Sequence, residues 1–334
     1  GLNRAFVAQG LKIMARRENT GMAALIDASR LKSALKASDC GFALGPRINA
    51  GGRVGEATLG VRLLTTRDPE EARDISAQLS QLNEERRAIE AAVQEAAEEQ
   101  LASQHNRAVI CVSGDGWHPG VIGIVAGRIK EKTGKPSIVI ARDQGAGDGK
   151  GSGRSIAGVD LGAAIIAAKD AGLLVAGGGH AMAAGLTVKH DQIDSFAEFL
   201  EERLSKSVAQ ASANQKMSLD LVLAPGGLVP DLVEYLEAAG PFGVGWPGPR
   251  LAVGPVRLVK VDIVGTDHVR IIASGEDSTS FKAIAFRSAD SDMGQALLHA
   301  GKGRKVWLAG RAKIDDWGSR PAAELHLEDA AWAD

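Results

Sequence analysis

The amino-acid sequence predicts an α/β chain with a helical first part, a long connecting helix, an α/β domain and a final β-barrel. Three observations support this prediction: a long amphipathic pattern that begins near residue 68, strand and helix patterns that alternate from residue 107, and five β-rich segments after residue 250. With 45% hydrophobic and 24% charged residues, the composition is that of a globular protein. We place the four parts at residues 1–67, 68–105, 106–206 and 215–334.

The first part contains two short helical patterns and then a glycine-rich stretch, CGFALGPRINAGGRVGEA, at residues 40–57. Three of its glycines and Pro46 predict a loop. The chain opens with Gly1 rather than Met, and an amphipathic pattern is already under way there. We therefore expect the sequence to begin inside a domain.

The connecting helix has a clear predicted start. Asp68 is a suitable N-cap, Pro69 fits the first helical position, and Glu71 follows three residues after the cap. Apolar residues then recur at helical spacing up to Val93, with Arg86 interrupting them. The helix should reach about residue 103, a length of roughly 50 Å. We expect its acidic residues to form a solvated face: Glu84, Glu85, Glu95, Glu98 and Glu99.

The alternating region predicts an α/β domain. Strand patterns occupy 107–114, 136–143 and 185–190, and helix patterns occupy 121–134, 160–172 and 191–206. Gly134 is expected to end the first of these helices. The polar stretch 205–216 predicts a linker.

The last part is mostly β. A helix pattern at 230–240 precedes five strand patterns at 251–265, 268–275, 281–287, 305–316 and 322–332. An OB-fold is the leading interpretation, and an SH3-like barrel or a half-sandwich also fits the pattern. The aromatic residues of this part either stack on a ligand or lie in the core: Phe281, Phe286, Trp307 and Trp317.

Composition also limits the function. The formal net charge is −2, so any binding of a polyanion has to come from local basic patches. Cys40 and Cys111 are far apart, which argues against a disulfide scaffold or a zinc ribbon and fits a reducing cytoplasm. No stretch approaches the roughly 18 apolar residues of a membrane helix, and the start has no signal-peptide pattern. We expect a cytoplasmic protein without a membrane partner.

The first candidate site is GPRINAGGR, residues 45–53. Arg47 and Arg53 can bind phosphate oxygens in bidentate fashion, Asn49 adds polar groups, and the glycines let backbone N–H groups approach an anion. The alternative is a surface loop whose arginines pair with carboxylates.

The second candidate is Trp117-His118-Pro119-Gly120, between a predicted strand and a predicted helix. A helix N-terminus favours anions, so His118 can donate to a phosphate there while Trp117 offers a stacking surface. The alternative is that Trp117 is a core residue and His118 a satisfied turn residue.

Two further glycine-rich motifs complete the candidates. Ser152, Arg154 and Ser155 lie in GSGRS, which predicts an anion-binding turn before a helix. His180 follows three glycines and can donate to a phosphate oxygen, although a lone histidine is more often structural. The histidines show neither HxxH nor HExxH spacing, so we predict no metal ligand and assign no catalytic residue in this sequence.

In this order, the motifs resemble the RecJ family of DHH phosphoesterases. LGPRINAGGRVGEA is similar to the end of the family's DHH domain, and WHPGVIGIVAGRI, GSGRS and GGGHAMAAG are similar to its DHH-associated domain. PFGVGWPGPRL, followed by a barrel with KAIAFR and ELHLED, is similar to the RecJ OB domain.

The resemblance implies a single-stranded-DNA 5′→3′ exonuclease of DNA repair and recombination. The family's metal-binding aspartates and DHH triplet are expected upstream of Gly1, where they hold Mn²⁺ or Mg²⁺. This chain would supply substrate binding and would be inactive alone. The implied partners are single-stranded DNA and a single-strand-binding protein or a helicase, and the implied state is a monomer. The resemblance assigns substrate handling to Arg47 or Arg53, Ser152, Arg154 and His180.

Two other functions stay open at this stage. One is a stand-alone nucleic-acid-binding module, and the other is a DHH-family phosphodiesterase that acts on short oligonucleotides. The second would make the barrel dispensable.

Overall fold

The structure is a computed structural model that describes residues 1–31, 34–143, 145, 147–214, 216–243, 245–300, 303–315 and 321–333. The chain divides into two compact units. One unit is Ile13–Lys216, and the other joins Gly1–Lys12 to Met217–Asp334.

The first part of the chain is helical. Its helices are α1 (Leu2–Ala15), α2 (Thr20–Ala28), α3 (Ala37–Asp39), a π-helical turn (Cys40–Leu44), α4 (Gly45–Val54) and α5 (Leu59–Thr65). The predicted loop at 40–57 is therefore wrong, because most of it forms the π-helical turn and α4. Pro46 lies in the first turn, where a helix tolerates proline. Gly51 is buried, and a Cβ there would lie 2.8 Å from the Glu56 carbonyl oxygen and 3.3 Å from the Leu79 side chain.

The long helix α6 (Pro69–Glu99) begins as predicted. The Asp68 carboxylate accepts a hydrogen bond from the Glu70 N–H at 2.8 Å, and a 3-10 turn continues the helix over Gln100–Gln104. Arg86 interrupts the apolar pattern because it forms an ion pair with Glu90, whose side chain is 3% exposed. Glu90 also pairs with Arg128 of the following domain.

The acidic face of α6 is only partly as predicted. Glu84, Glu85, Glu95 and Glu99 are exposed, whereas Glu98 is partly buried and forms an ion pair with Lys132.

The α/β domain contains one five-stranded sheet. Its elements are β1 (Ile110–Asp115), α7 (Pro119–Thr133), β2 (Ser137–Arg142), β3 (Asp148–Arg154), α8 (Leu161–Asp170), β4 (Ala176–His180), β5 (Ala183–Lys189) and α9 (Ile193–Ala213). The strand order is β1-β2-β3-β5-β4. Strands β1 and β2 are parallel, and the other neighbours are antiparallel. As predicted, Gly134 ends α7 in a left-handed conformation with φ 66°.

Two sequence expectations fail in this domain. The turn predicted at GSGRS is wrong, because Gly151–Arg154 belong to β3, and β4 also forms although its pattern does not predict a strand. Glycine disfavours strands, so glycine runs indicate turns in a sequence. The linker expected at 205–216 is also wrong, since α9 continues to Ala213. Leu204 and Val208, four residues apart, extend the buried stripe of α9 and keep the polar stretch helical.

Apolar clusters lie on both faces of this sheet. Residues of α6 and α7 pack against β1 and β2 on one face. Helices α8 and α9 pack against the opposite face, which includes Ile138, Ile140 and Leu186. Helix α7 packs mainly on β2 and β3, and among the described residues Gly185 of β5 and His180 of β4 are exposed on the same side of the sheet.

The other unit contains a closed barrel. Its elements are β6 (Leu221–Leu223), α10 (Pro230–Ala238), β7 (Leu251–Val264), β8 (His268–Ser274), β9 (Ser280–Ala285), α11 (Asp292–Leu298), β10 (Lys305–Asp315) and β11 (Ala322–Trp332). Pairing runs β7-β8-β9-β11-β10 and closes through β10–β7, and β9 is parallel to β11. This closed five-stranded order confirms the OB-fold prediction and excludes the SH3-like barrel and the half-sandwich.

The aromatic residues of the barrel differ from one another. Phe281 is buried, Trp307 is half-buried, and Phe286 is 49% exposed with its ring edge-on to His268 and His326. Trp317 lies outside the described residues. Among the described residues, no helix is both long and apolar enough to span a membrane.

Candidate nucleic-acid interface

Strand β3 presents two different faces. Its sequence, DGKGSGR, alternates glycine with polar residues, so the pleat separates them. The glycines are buried, and side chains on them would collide with apolar residues: Gly149 with Ile140, Gly151 with Leu186, and Gly153 with Ile138 and Leu161. Lys150, Ser152 and Arg154 therefore lie on the face that α7 partly covers.

Arg154 is held between β3 and α7. Its Nη1 donates to the Ser152 hydroxyl at 3.1 Å and to the Gly153 carbonyl at 2.8 Å. A Cβ at Gly123 of α7 would lie 2.9 Å from both Arg154 Nη2 and Ser152 Oγ. Glycine at that position thus makes room for the guanidinium.

Arg53 reaches the same place from α4. Its Nη1 donates to the Gly120 carbonyl in the first turn of α7 at 2.9 Å. Burial and then the charge of Arg53 lower the pKa of Arg154, so the two guanidinium groups are close enough to repel. Within the described ranges neither arginine pairs with a carboxylate. An anion between them would relieve the repulsion.

His118 caps α7, and this contact sets its tautomer. Its Nδ1 accepts a hydrogen bond from the Gly120 N–H at 3.0 Å. In the neutral ring the proton is therefore on Nε2, which is the atom available to donate to a ligand.

His180 joins the same face through the strand register. Arg154 pairs with Ala183 of β5, and Ala183 pairs with His180 of β4, so all three project from one side of the sheet. Two residues further along each strand, Ser152, Gly185 and Gly178 are also opposite one another. No atom lies within 4 Å of a Cβ built at Gly178 or Gly185. On this side of the sheet, the surface at Gly178 and Gly185 is therefore backbone without side chains.

We call this set the cationic sheet face; its residues are Arg53, His118, Lys150, Ser152, Arg154, Gly178, His180 and Gly185.

The structure places the other candidate residues elsewhere. Arg47 donates to the Ser80 hydroxyl at 3.3 Å and to the Ala43 carbonyl at 2.7 Å, and burial lowers its pKa. Asn49 is exposed and lines a cavity of about 520 Å³ together with Arg53. Ser155 is 1% exposed, and its hydroxyl donates to the Val159 carbonyl at 2.8 Å, so it holds the turn after β3.

Sequence reasoning missed Lys150. Its side chain is exposed, and its Nζ donates to the Thr187 hydroxyl on β5 at 3.2 Å. The signal was the period-two alternation of Lys150, Ser152 and Arg154 with glycines, which is typical of a strand with one polar face. The described residues contain no group of three or more His, Cys, Asp or Glu side chains suited to a metal ion.

The fold and this face define a DHH-associated α/β domain joined in sequence to an OB barrel. Residues 105–206 match the DHHA1 domain, and residues 219–329 match the RecJ OB domain.

Individual relatives agree with the domain matches. The single-stranded-DNA-specific exonuclease RecJ of Dickeya dadantii is 38% identical over 343 residues, which cover 98% of this chain and 57% of the relative. The Bacillus subtilis protein of the same name is 29% identical, with coverage of 98% and 41%. The chain therefore contains the DHH-associated and RecJ OB domains that its motifs predict, and it spans about half the length of these relatives.

Solved structures give the same result. RecJ from Thermus thermophilus in complex with Mn²⁺ matches 100% of this chain and 47% of its own, with a TM-score of 0.79 and 28% identity. The complex with Mg²⁺ gives a TM-score of 0.80 and 29% identity, over 100% of this chain and 50% of its own.

Proposed function

We propose that the whole protein hydrolyses single-stranded DNA from the 5′ end, in DNA repair and recombination, and that this chain binds the strand. One observation carries the proposal most directly. Arg53 and Arg154 lie close together, without a carboxylate partner among the described residues. Beside them, at Gly178 and Gly185, the backbone of the sheet is not covered by side chains of the described residues. Such a surface suits a phosphate and the sugar next to it.

Each polar residue of the cationic sheet face has a role in this proposal. Arg154 and Arg53 bind the phosphate at the 5′ end, because guanidinium groups match phosphate oxygens. Ser152, His118 through Nε2, and His180 donate further hydrogen bonds. Asn49 lies in the cavity beside Arg53 and contacts the strand there, whereas Arg47 and Ser155 support the surrounding structure.

Hydrolysis of a phosphodiester in the RecJ family involves a divalent cation, and the two related solved structures are complexes with Mn²⁺ and with Mg²⁺. The described residues offer no fitting ligand set, so no step through a metal is assigned to them. We propose that other parts of the whole protein hold the metal. By binding the phosphate at the 5′ end, this chain holds the neighbouring scissile phosphodiester in a fixed position.

The barrel and the cellular setting complete the proposal. The OB barrel guides the single strand, as barrels of this fold commonly do. The protein acts as a cytoplasmic monomer, and a single-strand-binding protein or a helicase is its proposed partner.

The test compares 5′-phosphorylated and 5′-hydroxyl single strands by fluorescence anisotropy. Arg154→Ala should weaken binding of the phosphorylated strand at least about tenfold, because a hydrogen bond to a charged group contributes ~1.5–3 kcal/mol. Binding of the hydroxyl strand should change less. Arg107→Ala is the matched control, since Arg107 lies partly exposed in the same domain and pairs with Glu198.

Equal effects of the two substitutions would refute the role of Arg154. A nuclease assay separates binding from catalysis. Metal-dependent digestion by this chain alone would show that it holds a catalytic centre. That result would contradict the proposal that other parts of the whole protein hold the metal.

A further inference from the structure

A second cavity lies next to the cationic sheet face, at the carboxyl ends of the parallel strands β1 and β2. Its volume is about 460 Å³, within the range of ligand sites in proteins. The polar, charged and aromatic residues that line it are Asp115, Trp117, His118, Arg142, Asp143 and Lys150. In α/β sheets, the crevice outside the carboxyl ends of parallel strands is a common ligand site.

Trp117 forms an aromatic wall of this cavity. A Cβ at Gly114 would lie 2.1 Å from Cε2 of the indole, so the ring rests directly on the backbone of β1. The ring is half-buried, and it packs against the apolar cluster of α6 and α7 while also lining the cavity. The indole is therefore held in a fixed orientation, which lowers the entropic cost of stacking on it.

An ion pair adds polar groups to the cavity. Asp115 and Arg142 are directly opposite on β1 and β2. Arg142 Nη2 lies 3.1 Å from Asp115 Oδ2, and Nε lies 3.0 Å from Oδ1. Only the Nη2–Oδ2 contact is a hydrogen bond, and the buried Arg142 Nε has no hydrogen-bond partner among the described residues. A planar guanidinium beside an indole suits a flat, polar ligand better than an aliphatic one.

The cavity shares two of its lining residues, His118 and Lys150, with the cationic sheet face. His118 lines the cavity and also caps α7 beside Arg53's partner, Gly120. Lys150 lines the cavity and lies four residues before Arg154 on the same face of β3, about 14 Å away along the strand. A DNA strand with a phosphate at Arg154 can thus reach the cavity within a few nucleotides.

We propose that this cavity is a subsite for one unstacked nucleobase of the bound strand, with the base against Trp117 and the adjoining phosphate near Lys150. This rests on the proposed function, because it takes the phosphate at Arg154 to belong to a single strand.

The experiment is an abasic scan of 5′-phosphorylated single strands with the full chain. Each strand lacks one base, and its affinity is measured by fluorescence anisotropy. Stacking of one base on an aromatic side chain contributes ~1–3 kcal/mol. One position within about the first four nucleotides should therefore lose about tenfold in affinity when its base is removed.

Trp117→Leu tests the wall itself. Leucine keeps an apolar contact with the cluster but has no flat ring, so the intact strand should bind about tenfold more weakly and the penalty at the sensitive position should vanish. The preference for a 5′-phosphate should stay. The control is Trp246→Leu, which removes an exposed indole from the barrel unit, and circular dichroism verifies that both variants fold.

Each outcome decides between the two proposals. A 5′-phosphate preference without any sensitive position, or with a penalty that persists in folded Trp117→Leu, overturns the base subsite and leaves the proposed function standing. If the unaltered chain binds no single strand, both proposals fail. Should Trp117→Leu not fold, the scan on the unaltered chain decides alone.

Discussion

At the scale of single residues, the two arginines of one motif differ in their hydrogen-bond partners. Arg47 and Arg53 are six residues apart on α4, yet Arg47 hydrogen-bonds Ser80 of α6 and Arg53 hydrogen-bonds Gly120 of α7. The sequence identifies both as candidates from residue type alone. It cannot separate them, because the predicted loop has no defined faces, whereas a helix directs its side chains by position.

Cys111 gives a residue-scale prediction about reactivity. Burial, and then the charge of Asp194, raise the pKa of its thiol to about 12, so the reactive thiolate is scarce at neutral pH. Iodoacetamide at pH 8 should label native Cys111 far more slowly than unfolded Cys111, as measured by mass spectrometry. Cys40→Ser removes the other thiol, and rapid labelling of that native variant would contradict the prediction.

The same pKa has a consequence for stability. In the unfolded chain the thiol loses its proton near pH 9, whereas the native thiol keeps it up to about 12. The native state thus binds more protons between these values, and stability falls as the pH rises through that window. Cys111→Ala should lack this part of the alkaline loss in urea denaturation.

At the scale of helices and strands, the sequence predicts an element correctly where its local signals agree with the way it packs. Helix α6, strands β1 and β2, and the five barrel strands all follow from caps and apolar patterns. Strands β3 and β4 do not, because most of their buried glycines are explained by apolar residues of β2, β5 and α8 that pack against them, and sequence alone cannot show those contacts. Helix α4 fails for the same reason: buried Gly51 fits α6, and sequence alone cannot show that contact.

The two neighbouring glycines of β4 should respond oppositely to substitution. A side chain at Gly177 would meet Ile165 at 2.8 Å, so Gly177→Leu should destabilise the protein by ~1–3 kcal/mol through overpacking. Gly178→Leu enters open space and should change stability by less than ~0.5 kcal/mol. It should nevertheless weaken binding of single-stranded DNA about tenfold, because it blocks the bare backbone beside Arg154.

Urea denaturation and fluorescence anisotropy on both variants check this pair. Unchanged DNA affinity in a folded Gly178→Leu variant would mean that the strand does not lie over β4.

At the scale of the whole molecule, charge is nearly balanced, so under the proposed function the positions of unpaired cations decide where DNA binds. The net charge is −2. Several basic residues of the barrel are in ion pairs: Lys282 with Asp315 and Glu324, Arg270 with Asp262, and Arg250 and Arg311 with Glu328. The hydrogen bond from Arg270, followed by that from Lys260, lowers the pKa of Asp262 to about 2, so the Asp262 carboxylate remains ionised down to about that pH.

This distribution predicts a modest salt dependence. Each phosphate that a cation neutralises on a single strand contributes about 0.7 to the slope of log K against log salt. Arg53, Arg154 and Lys150 together should give a slope of about −2 in anisotropy titrations. Removing both arginines should reduce its magnitude to about 0.7.

Lys282→Gln is the control, because its charge is already neutralised in the barrel. If this substitution lowers the slope as much as loss of an arginine does, phosphate binding occurs on the barrel rather than on the cationic sheet face.

The alternation in β3 also determines which genetic changes this segment can accept. Substitution at Lys150, Ser152 or Arg154 alters one contact on the solvent side and leaves the buried side intact. Deletion or insertion of a single codon between Gly149 and Gly153 shifts every later residue to the opposite face. Arginine would then point at Ile138 and Leu161, and glycine would face the solvent side. This segment can therefore diverge by replacement among relatives, whereas the length of β3 from Gly149 to the turn at Ser155 is fixed.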